Sequence, residues 1–192
     1  MTRRKLARTK HLLLIFVVLI ASLIFGLRTP AGQPARKLAA ENQPGLVSVS
    51  RFIDGDTIAV SMQGTVEKVR LIGVDTPETH KPNTPVQCYG PAAAAHTKIL
   101  IGSHRVRLES DSLSTDRDRY NRLLRYVYLP DGTSVNEDLI NNGYAFYYPY
   151  FPFTKAEQFS ALQASAKANF KGLWGNCNTI KKGQCYVSNT AS

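Results

Sequence analysis

The chain has 192 residues, of which 43% are hydrophobic and 20% are charged, which suits one globular domain with an extra segment at one end. No internal repeat or low-complexity tract is present in the sequence, which argues against a solenoid. The formal net charge is +10, but residues 1–40 hold eight Lys or Arg and no acid, whereas residues 41–192 hold 16 basic and 14 acidic residues. A strongly basic folded domain is therefore excluded, and any polyanion binding must depend on where individual Arg and Lys side chains lie.

The N-terminus has the pattern of a targeting segment. Residues 1–11 contain five Lys or Arg, and the run LLLIFVVLIASLIFGL from Leu12 to Leu27 carries no charge. The pattern predicts a signal peptide or a signal anchor over residues 1–27, with the protein secreted or anchored in the cytoplasmic membrane by residues 12–27. The basic flank predicts an extracytoplasmic location for everything that follows. The length of the run and the lack of an A-x-A site leave cleavage open.

The next segment is predicted to be a linker that leads into the domain. Residues 28–45 are rich in Pro, Ala and Gly, and the domain is predicted to span residues 46–177. The β-branched runs LVSVSRF, TIAVSM and VEKVRLIGV are separated by the turn signals DGD and QGT. These alternating runs predict a three-stranded antiparallel meander.

The rest of the domain mixes helices with two more strands. Pro91, the run AAAAHTKILI and Gly102 predict a first helix, and RVRLES and RLLRYVYL predict strands. Ser134 with Glu137 forms a capping-box signal for a short helix that ends at Gly143. The sequence therefore predicts an α+β fold built on a curled antiparallel sheet.

A second capping-box signal predicts the last long helix. Thr154 is followed three residues later by Glu157, and the helix is expected to run to about Phe170 and to close at Gly172. Beyond it, the polar tail of residues 178–192 is expected to be ordered only if its cysteine is tied down.

Three cysteines are an odd number for a chain that is predicted to be exported. Cys88 paired with Cys177 would tie the middle of the domain to its end, whereas Cys177 paired with Cys185 would close a small terminal loop. Both pairings stay open from the sequence. A zinc site is not favoured, because there is no C-x-x-C pair and the histidines are scattered.

Two acidic clusters follow predicted strands. Asp56 lies in DGDT, which taken alone is a common hairpin turn. Asp75 and Glu78 lie in DTPE, at the end of a strand that a meander could bring alongside the DGDT turn. Calcium needs several oxygen ligands in one place, and two carboxylates with backbone carbonyls and water can supply them. The sequence therefore predicts a site for a divalent cation between the two clusters.

Several arginines accompany these acids. Arg70 lies on an apolar strand, where it needs an anionic partner, and its guanidinium suits either a phosphate or an internal salt bridge to Asp75 or Glu78. The run RDRYNR at residues 117–122 adds three more arginines and a tyrosine. A solvated loop is the simpler interpretation of that run.

Taken together, these spacings are recognisable. The segments DGDTIAV and RLIGVDTPE, then THKP, YGPAA, DRYNR, VNEDLINNG and GLW, resemble the signature of the thermonuclease family, the staphylococcal nuclease-like domains. The resemblance covers about residues 47–175. It implies a five-stranded OB-fold β-barrel with about three α-helices, here preceded by an N-terminal hydrophobic segment.

The resemblance also implies roles for individual residues. Asp56, Asp75 and the backbone carbonyl of Thr76 correspond to calcium ligands, and Glu78 corresponds to the residue that activates the attacking water. Arg70 and Arg122 correspond to the arginines that grip the scissile phosphate, and Arg119 and Tyr120 to groups that contact the terminal phosphate.

The match is weaker in two places. Asn121 stands where the family usually has Gly or Gln. In the run FYYPYFPF, Pro149 and Phe151 align with the two nucleotide-binding tyrosines of the family, so Tyr148 and Tyr150 are only candidates for base stacking. An aromatic patch that packs on the barrel or on a membrane is the alternative interpretation.

The resemblance implies a calcium-dependent endo/exonuclease that hydrolyses DNA and RNA with little sequence specificity and leaves 3′-phosphates. Such an enzyme would act as a monomer without a protein partner, and it would contact the membrane only through an uncleaved N-terminal segment. The alternative is a noncatalytic OB-fold module that binds nucleic acid or a protein.

Overall fold

The computed structural model describes residues 45–80 and 84–191, and all the statements below concern these residues. The strands are β1 (Leu46–Asp54), β2 (Thr57–Met62), β3 (Thr65–Leu71), β4 (Val74–Asp75), β5 (Arg105–Glu109), β6 (Leu123–Tyr128), β7 (Phe146–Tyr147), β8 (Thr179–Lys182) and β9 (Cys185–Ser188). The helices are α1 (Gly90–Ile101), α2 (Val135–Asn141), α3 (Ala156–Ala168) and the single turn α4 (Leu173–Asn176).

Five strands form a closed barrel in the order β1-β2-β3-β6-β5. β1, β2 and β3 pair antiparallel, which confirms the predicted meander, whereas β3 pairs with β6 in parallel, so the prediction of a wholly antiparallel sheet is wrong at this pair. β5 closes the barrel because it pairs antiparallel with both β1 and β6. The predicted five-stranded barrel with three longer helices is confirmed.

The core lies inside the barrel and under α2 and α3. Ile58, Val69 and Val127 come from three barrel strands, and Leu139 and Phe159 come from the two helices; all five are fully buried. Burying one such side chain stabilises the fold by roughly 1.5 to 3 kcal/mol. This packing holds the barrel end against the helices and leaves the loops after β1, β4 and β5 to form surface clefts.

The helix boundaries agree with the sequence in two cases and differ in one. α1 begins next to Pro91 and ends at Gly102, and α2 is capped by Ser134, whose hydroxyl accepts a bond of 3.2 Å from the Glu137 amide. The capping box predicted for α3 is wrong. The amide and the hydroxyl of Thr154 both donate to Asp111, so Thr154 does not cap the helix, which begins at Ala156 and ends at Ala168.

The C-terminal segment is more ordered than its polar sequence suggested. β8 and β9 form an antiparallel hairpin, and Tyr186 of β9 packs against Phe146 and Trp174. Cys88 and Cys177 form the disulfide, so the alternative pairing of Cys177 with Cys185 is wrong. Cys185 is a free, buried thiol, and apolar packing rather than a covalent bond holds this strand.

The predicted targeting segment, residues 1–27, lies outside the described residues, as does the linker except for Gly45. Within residues 45–80 and 84–191, no helix has both the length and the apolar character to cross a bilayer. The predictions of export or anchoring therefore stay predictions.

Candidate functional site

A cleft of about 490 Å³ opens on the barrel surface beside β2, β3 and the segment after β4. Its lining includes every residue that is predicted to be a metal ligand or catalytic, namely Asp56, Arg70, Asp75, Thr76, Glu78 and Arg122. Tyr120, which is predicted to bind nucleic acid, also lines the cleft. Residues that are 66 positions apart in the chain therefore meet in one cleft. Their chemical roles stay predictions.

The β1–β2 turn delivers Asp56 to the cleft. Asp54 pairs with Thr57 across a tight hairpin, so the hairpin interpretation of DGDT is correct and compatible with a site role. Asp56 is buried; its Oδ2 accepts the Thr76 amide at 3.0 Å, and its Oδ1 accepts the Thr57 hydroxyl at 2.9 Å. Gly55 is required here, because a Cβ would lie 2.7 Å from the Thr76 side chain. The two acidic segments are thus locked together.

Arg70 on β3 lies between two carboxylates. Its Nη2 is 3.1 Å from Asp56 Oδ2 and 3.1 Å from Asp75 Oδ1, and its Nη1 donates to the Val74 and Leu71 carbonyls. The Arg70 side chain is only 12% exposed, and a charge that is this buried needs anionic partners to offset its desolvation. The internal salt bridge that the sequence left open is therefore present, with Asp56 as a partner that the sequence did not indicate.

The carboxylates of the cleft are crowded enough to disturb one another. Burial raises the pKa of Asp75; Arg70 lowers it, but the charges of Asp56, Glu78 and Asp54 add to the rise. The Asp75 side chain keeps 36% of its exposure, so water in the open cleft moderates this rise. Burial is also the main cause that raises the pKa of Asp54, with opposing hydrogen bonds from Thr79 and Gly55. The cleft therefore holds four carboxylates beside three basic side chains, and the mutual repulsion of the carboxylates favours binding of a cation among them.

The donor atoms suit a hard divalent cation. The carboxylates of Asp56 and Asp75 supply oxygen only, and the buried Thr76 hydroxyl beside them has no hydrogen-bond partner among the described residues. No three His, Cys, Asp or Glu side chains in the described part of the chain cluster closely enough to enclose a metal by themselves. A cation here would need backbone carbonyls and water as well as the two carboxylates, which is the ligand set that was predicted.

Glu78 lies on the segment that follows β4. Its Oε1 accepts the amides of Thr79 and His80, each at 3.2 Å. Its own amide donates to Gln87 Oε1 at 2.7 Å, and its carbonyl accepts the Gln87 amide at 2.9 Å. The backbone of Glu78 is thus fixed by a residue nine positions later, just before α1.

Arg122 is held at the cleft by an acid that sequence reasoning missed. Asp118 Oδ2 accepts Arg122 Nε at 2.7 Å and lies 2.6 Å from Nη2, and Asp118 Oδ1 accepts the Arg122 amide at 3.0 Å. Burial opposes ionisation of Asp118, but the bonds from Arg122 outweigh it and lower its pKa. Asn121 has φ 60°, a left-handed conformation that Asn tolerates, so its departure from the family pattern leaves Arg122 in place.

A second groove of about 650 Å³ borders the first and shares Arg70, Tyr120 and Arg122 with it. Its lining adds the remaining predicted nucleic-acid-binding residues, Arg119, Tyr148 and Tyr150. Arg119 donates to the Tyr120 hydroxyl at 2.8 Å and lies over the Tyr120 ring. The residues predicted to contact phosphates and bases therefore line one surface next to the acidic cleft, and the contacts themselves stay predictions.

The aromatic part of this groove is open. Tyr150 is 57% exposed and Tyr148 lies 5.1 Å from it between ring centroids, while Phe151, 62% exposed, lies 6.2 Å from Tyr148. Rings that are this exposed beside arginines suit stacking with bases. The alternative of an aromatic patch packed on the barrel fits Tyr148, which is partly covered, better than it fits Tyr150.

Three supporting residues were not singled out from the sequence. Asp54 is the first acid of DGD, Asp118 alternates with the arginines in RDRYNR, and Gln87 lies just before Cys88. Asp54 and Asp118 could have been found from the sequence, because both are acids within the motifs that contain the predicted site residues. Gln87 could not, because its role depends on a contact that only the fold creates.

A family model described as "Staphylococcal nuclease homologue" matches residues 68–176. The chain is similar to endonuclease YncB of Bacillus subtilis, with 45% identity over 78% of this chain and 70% of the relative. It is also similar to thermonuclease of Staphylococcus hyicus, with 44% identity over 67% of this chain and 75% of the relative.

A third relative is longer. The SPbeta prophage-derived endonuclease YokF of Bacillus subtilis is 45% identical over 67% of this chain, but the match spans only 43% of that protein.

Proposed function

This chain is a member of the staphylococcal nuclease family, and from that premise we propose that it is a nuclease, a hydrolase of phosphodiester bonds. One observation carries the proposal. Carboxylates and guanidinium groups from separate elements converge on a single cleft beside an exposed aromatic groove. Phosphodiester hydrolysis needs both: acids for a cation and a base, and arginines for the phosphate.

The finer proposal is a calcium-dependent enzyme that cleaves DNA and RNA with little sequence preference and leaves 3′-phosphates. Asp56, Asp75 and the Thr76 carbonyl would hold the ion. When bound, it supplies positive charge that stabilises the anionic transition state and favours deprotonation of water. The family relation and the carboxylate-lined cleft support this assignment.

Glu78 is the proposed general base. It accepts a proton from a water as that water attacks phosphorus in line with the leaving 5′-oxygen. The new O–P bond forms as the P–O5′ bond breaks on the opposite side of phosphorus; solvent protonates the leaving oxygen and Glu78 releases its proton to solvent, which gives a 3′-phosphate and a 5′-hydroxyl. The carboxylate of Glu78 lines the cleft together with both arginines, which supports this role.

The two arginines are proposed to bind the scissile phosphate, and they differ in how free they are. Arg122 is fixed through Nε and Nη2, and its Nη1 has only a long contact of 3.5 Å to the Thr57 hydroxyl. Arg70 is engaged by Asp56 and Asp75. A cation that binds these acids would compete with Arg70 for them and would release its guanidinium toward the phosphate.

Low sequence specificity follows from the kinds of groups that line the site. Arg119 and Tyr120 are proposed to contact the terminal phosphate, and Tyr148 and Tyr150 to stack on bases. Phosphates and base faces are common to all sequences, whereas discrimination requires contacts to base edges.

The proposal is tested with the full chain and a 5′-labelled single-stranded DNA or RNA. We expect cleavage with calcium, much less with magnesium, and none with a chelator. Mass spectrometry of the fragments should find 3′-phosphate ends. Fragments with 3′-hydroxyl and 5′-phosphate ends would contradict the proposed bond cleavage, and full activity in chelator would contradict the proposed cofactor.

We also propose that the protein is exported and works as a monomer outside the cytoplasm, secreted or held at the membrane by residues 12–27. The charge pattern of the N-terminus supports this proposal. The intact mass of the native protein distinguishes the two forms, because a mass that lacks the first 25 to 40 residues excludes an uncleaved anchor.

A further inference from the structure

The C-terminal edge of the domain pairs with the segment that precedes α1. Residues 86–88 run beside residues 189–191: the Cys88 amide donates to the Asn189 carbonyl at 2.7 Å, and the Ala191 amide donates to the Val86 carbonyl at 2.8 Å. Gln87 and Thr190 form the bridge between these two bonds. We call residues 189–191 the terminal edge. The terminal edge supports the backbone on both sides of Gln87.

A covalent bond fixes the same segment. Cys88 is bonded to Cys177, which lies at the end of α4 and just before the β8–β9 hairpin. Asn178 completes the connection, because it exchanges two hydrogen bonds of 3.0 Å with Asn189 at the terminal edge. The disulfide, the hairpin and the terminal edge thus form one frame around Gln87.

The opposite side of Gln87 faces Glu78. The Gln87 side-chain carbonyl accepts the Glu78 amide at 2.7 Å, and the Gln87 amide donates to the Glu78 carbonyl at 2.9 Å. Gly90 leaves room for this close approach, because a Cβ there would lie 3.0 Å from the carbonyl oxygens of Glu78 and Pro77. The position of Glu78 therefore depends on the frame around Gln87 as well as on the barrel.

We propose that Gln87 is a positioning residue for Glu78 and that its hydrogen bonds to Glu78 depend on the redox state of the Cys88–Cys177 disulfide. Reduction by a dithiol transfers two electrons and leaves Cys88 and Cys177 as thiols. The frame around Gln87 then keeps its hydrogen bonds and the apolar packing of the hairpin but loses its covalent bond, and the Glu78 backbone becomes less fixed. Full turnover would therefore require an oxidising environment. The kinetic part of this inference rests on the proposed function.

A base must lie within a fraction of an ångström of its working position, so loosening it lowers turnover more than substrate binding. Arg122 and the aromatic groove, which lie on other elements, keep their contacts. We therefore expect the loss in kcat, with little change in KM. A general loss of structure would instead lower both kcat and substrate affinity.

The first test uses variants of the full chain. Gln87→Met removes the acceptor oxygen and keeps the side-chain length, and it should lower kcat about tenfold with KM changed less than twofold. Gln87→Glu keeps an acceptor oxygen and should restore most of the rate. Gln158→Met is the matched control: Gln158 is exposed on α3 and lines neither cleft, and kcat should stay within about twofold.

The second test asks whether the disulfide acts through Gln87. Dithiothreitol should lower the kcat of the wild-type chain several-fold and have little further effect on Gln87→Met, because both changes release the same contact. Cys185→Ala, which removes the free thiol and keeps the disulfide, should respond to reduction as the wild type does. Equal factors of loss on reduction in the wild type and in Gln87→Met would overturn the coupling.

Hydrogen exchange at the Glu78 amide tests the positioning without any activity. Exchange of this amide should become faster in Gln87→Met and in the reduced wild type, while the Val69 amide in the barrel stays protected. Unchanged exchange at Glu78 would overturn the inference. If exchange changes as expected but the oxidised wild type does not cleave DNA in calcium, the proposed function fails and the positioning contact stands.

Discussion

Nη2 of Arg70 lies 3.1 Å from Oδ2 of Asp56, and the same nitrogen lies 3.1 Å from Asp75. The arginine therefore occupies the space between the two carboxylates that are proposed to hold a cation. Because calcium and Arg70 compete for the same oxygens, binding of calcium should be visible in the stability of the protein as well as in its activity.

The first prediction concerns calcium-linked stability. Calcium at about 100 times its Kd should raise the free energy of unfolding of the wild type by about 3 kcal/mol. Asp56→Asn should lose most of this increase, because one ligand carboxylate is gone. Asp131→Asn, in the exposed turn after β6, is the control and should keep it. The measurement is thermal unfolding with calcium and with chelator; an equal calcium effect in wild type and Asp56→Asn would contradict the proposed ion site.

The second prediction concerns the acid that holds Arg122. Asp118→Asn leaves the guanidinium without its charged partner, and we expect kcat/KM to fall about tenfold or more. Asp116→Asn is the matched control two residues away. Asp116 is 65% exposed and pairs with Arg125, so its loss should change kcat/KM less than twofold. Similar effects of the two substitutions would mean that Arg122 does not depend on Asp118.

The third prediction concerns base stacking in the aromatic groove. Tyr150→Leu should raise KM for a short single-stranded DNA about fivefold or more, because base–aromatic stacking contributes about 1 to 3 kcal/mol per base. Phe170→Leu is the control, because Phe170 is 75% exposed and lies outside both clefts. Equal KM values for wild type and Tyr150→Leu would favour the simple packing interpretation of the aromatic run.

The fourth prediction concerns the acid stability that the fold gains from Asp111, which lines neither cleft. Asp111 is buried; burial raises its pKa, but hydrogen bonds from Thr154, Tyr126 and Leu113 outweigh burial and lower the pKa to about 2. Because the folded value lies below the unfolded value, the stabilisation is fully present above about pH 4 and is lost as pH falls toward 2.

The size of this effect is about 2 kcal/mol, of which about half is lost at pH 3. Urea unfolding of wild type and Asp111→Asn at pH 6 and pH 3 provides the measurement. The stability difference between the two proteins should be smaller at pH 3 by about 1 kcal/mol. A difference that stays constant between these pH values would show that Asp111 does not titrate in this range.

The fold and the chemistry of the site could be predicted from the sequence to different extents. The meander, α1 and α2 follow from local patterns: alternating β-branched runs, a first-turn proline and a capping box. Thr154 and Glu157 have the same capping-box spacing as Ser134 and Glu137, so the local pattern predicts a helix cap at Thr154. Thr154 instead bonds to Asp111, which is 43 residues away. Local patterns could not reveal that competing tertiary contact.

The same limit applies at the site. Asp56, Arg70 and Glu78 were predicted because their motifs have fixed spacing, whereas the pairing of Arg70 with Asp56 depends on the register of β2 and β3. Gln87 and the terminal edge could not be predicted, because their contact joins residues about 100 positions apart in the chain. The hairpin of β8 and β9 was missed because its stabilising partners, Phe146 and Trp174, belong to other elements.

The central claim is that this cleft hydrolyses phosphodiesters with Glu78 as its base. The most direct measurement is single-turnover cleavage of a fluorescent single-stranded DNA by the full chain in calcium, for wild type and Glu78→Gln, with binding of the same DNA measured in parallel. We expect the wild type to cleave and Glu78→Gln to be slower by about 100-fold or more, with affinity changed only a few-fold. A folded wild type that binds the DNA in calcium but does not cleave it would contradict the claim and would identify the domain as a noncatalytic binding module.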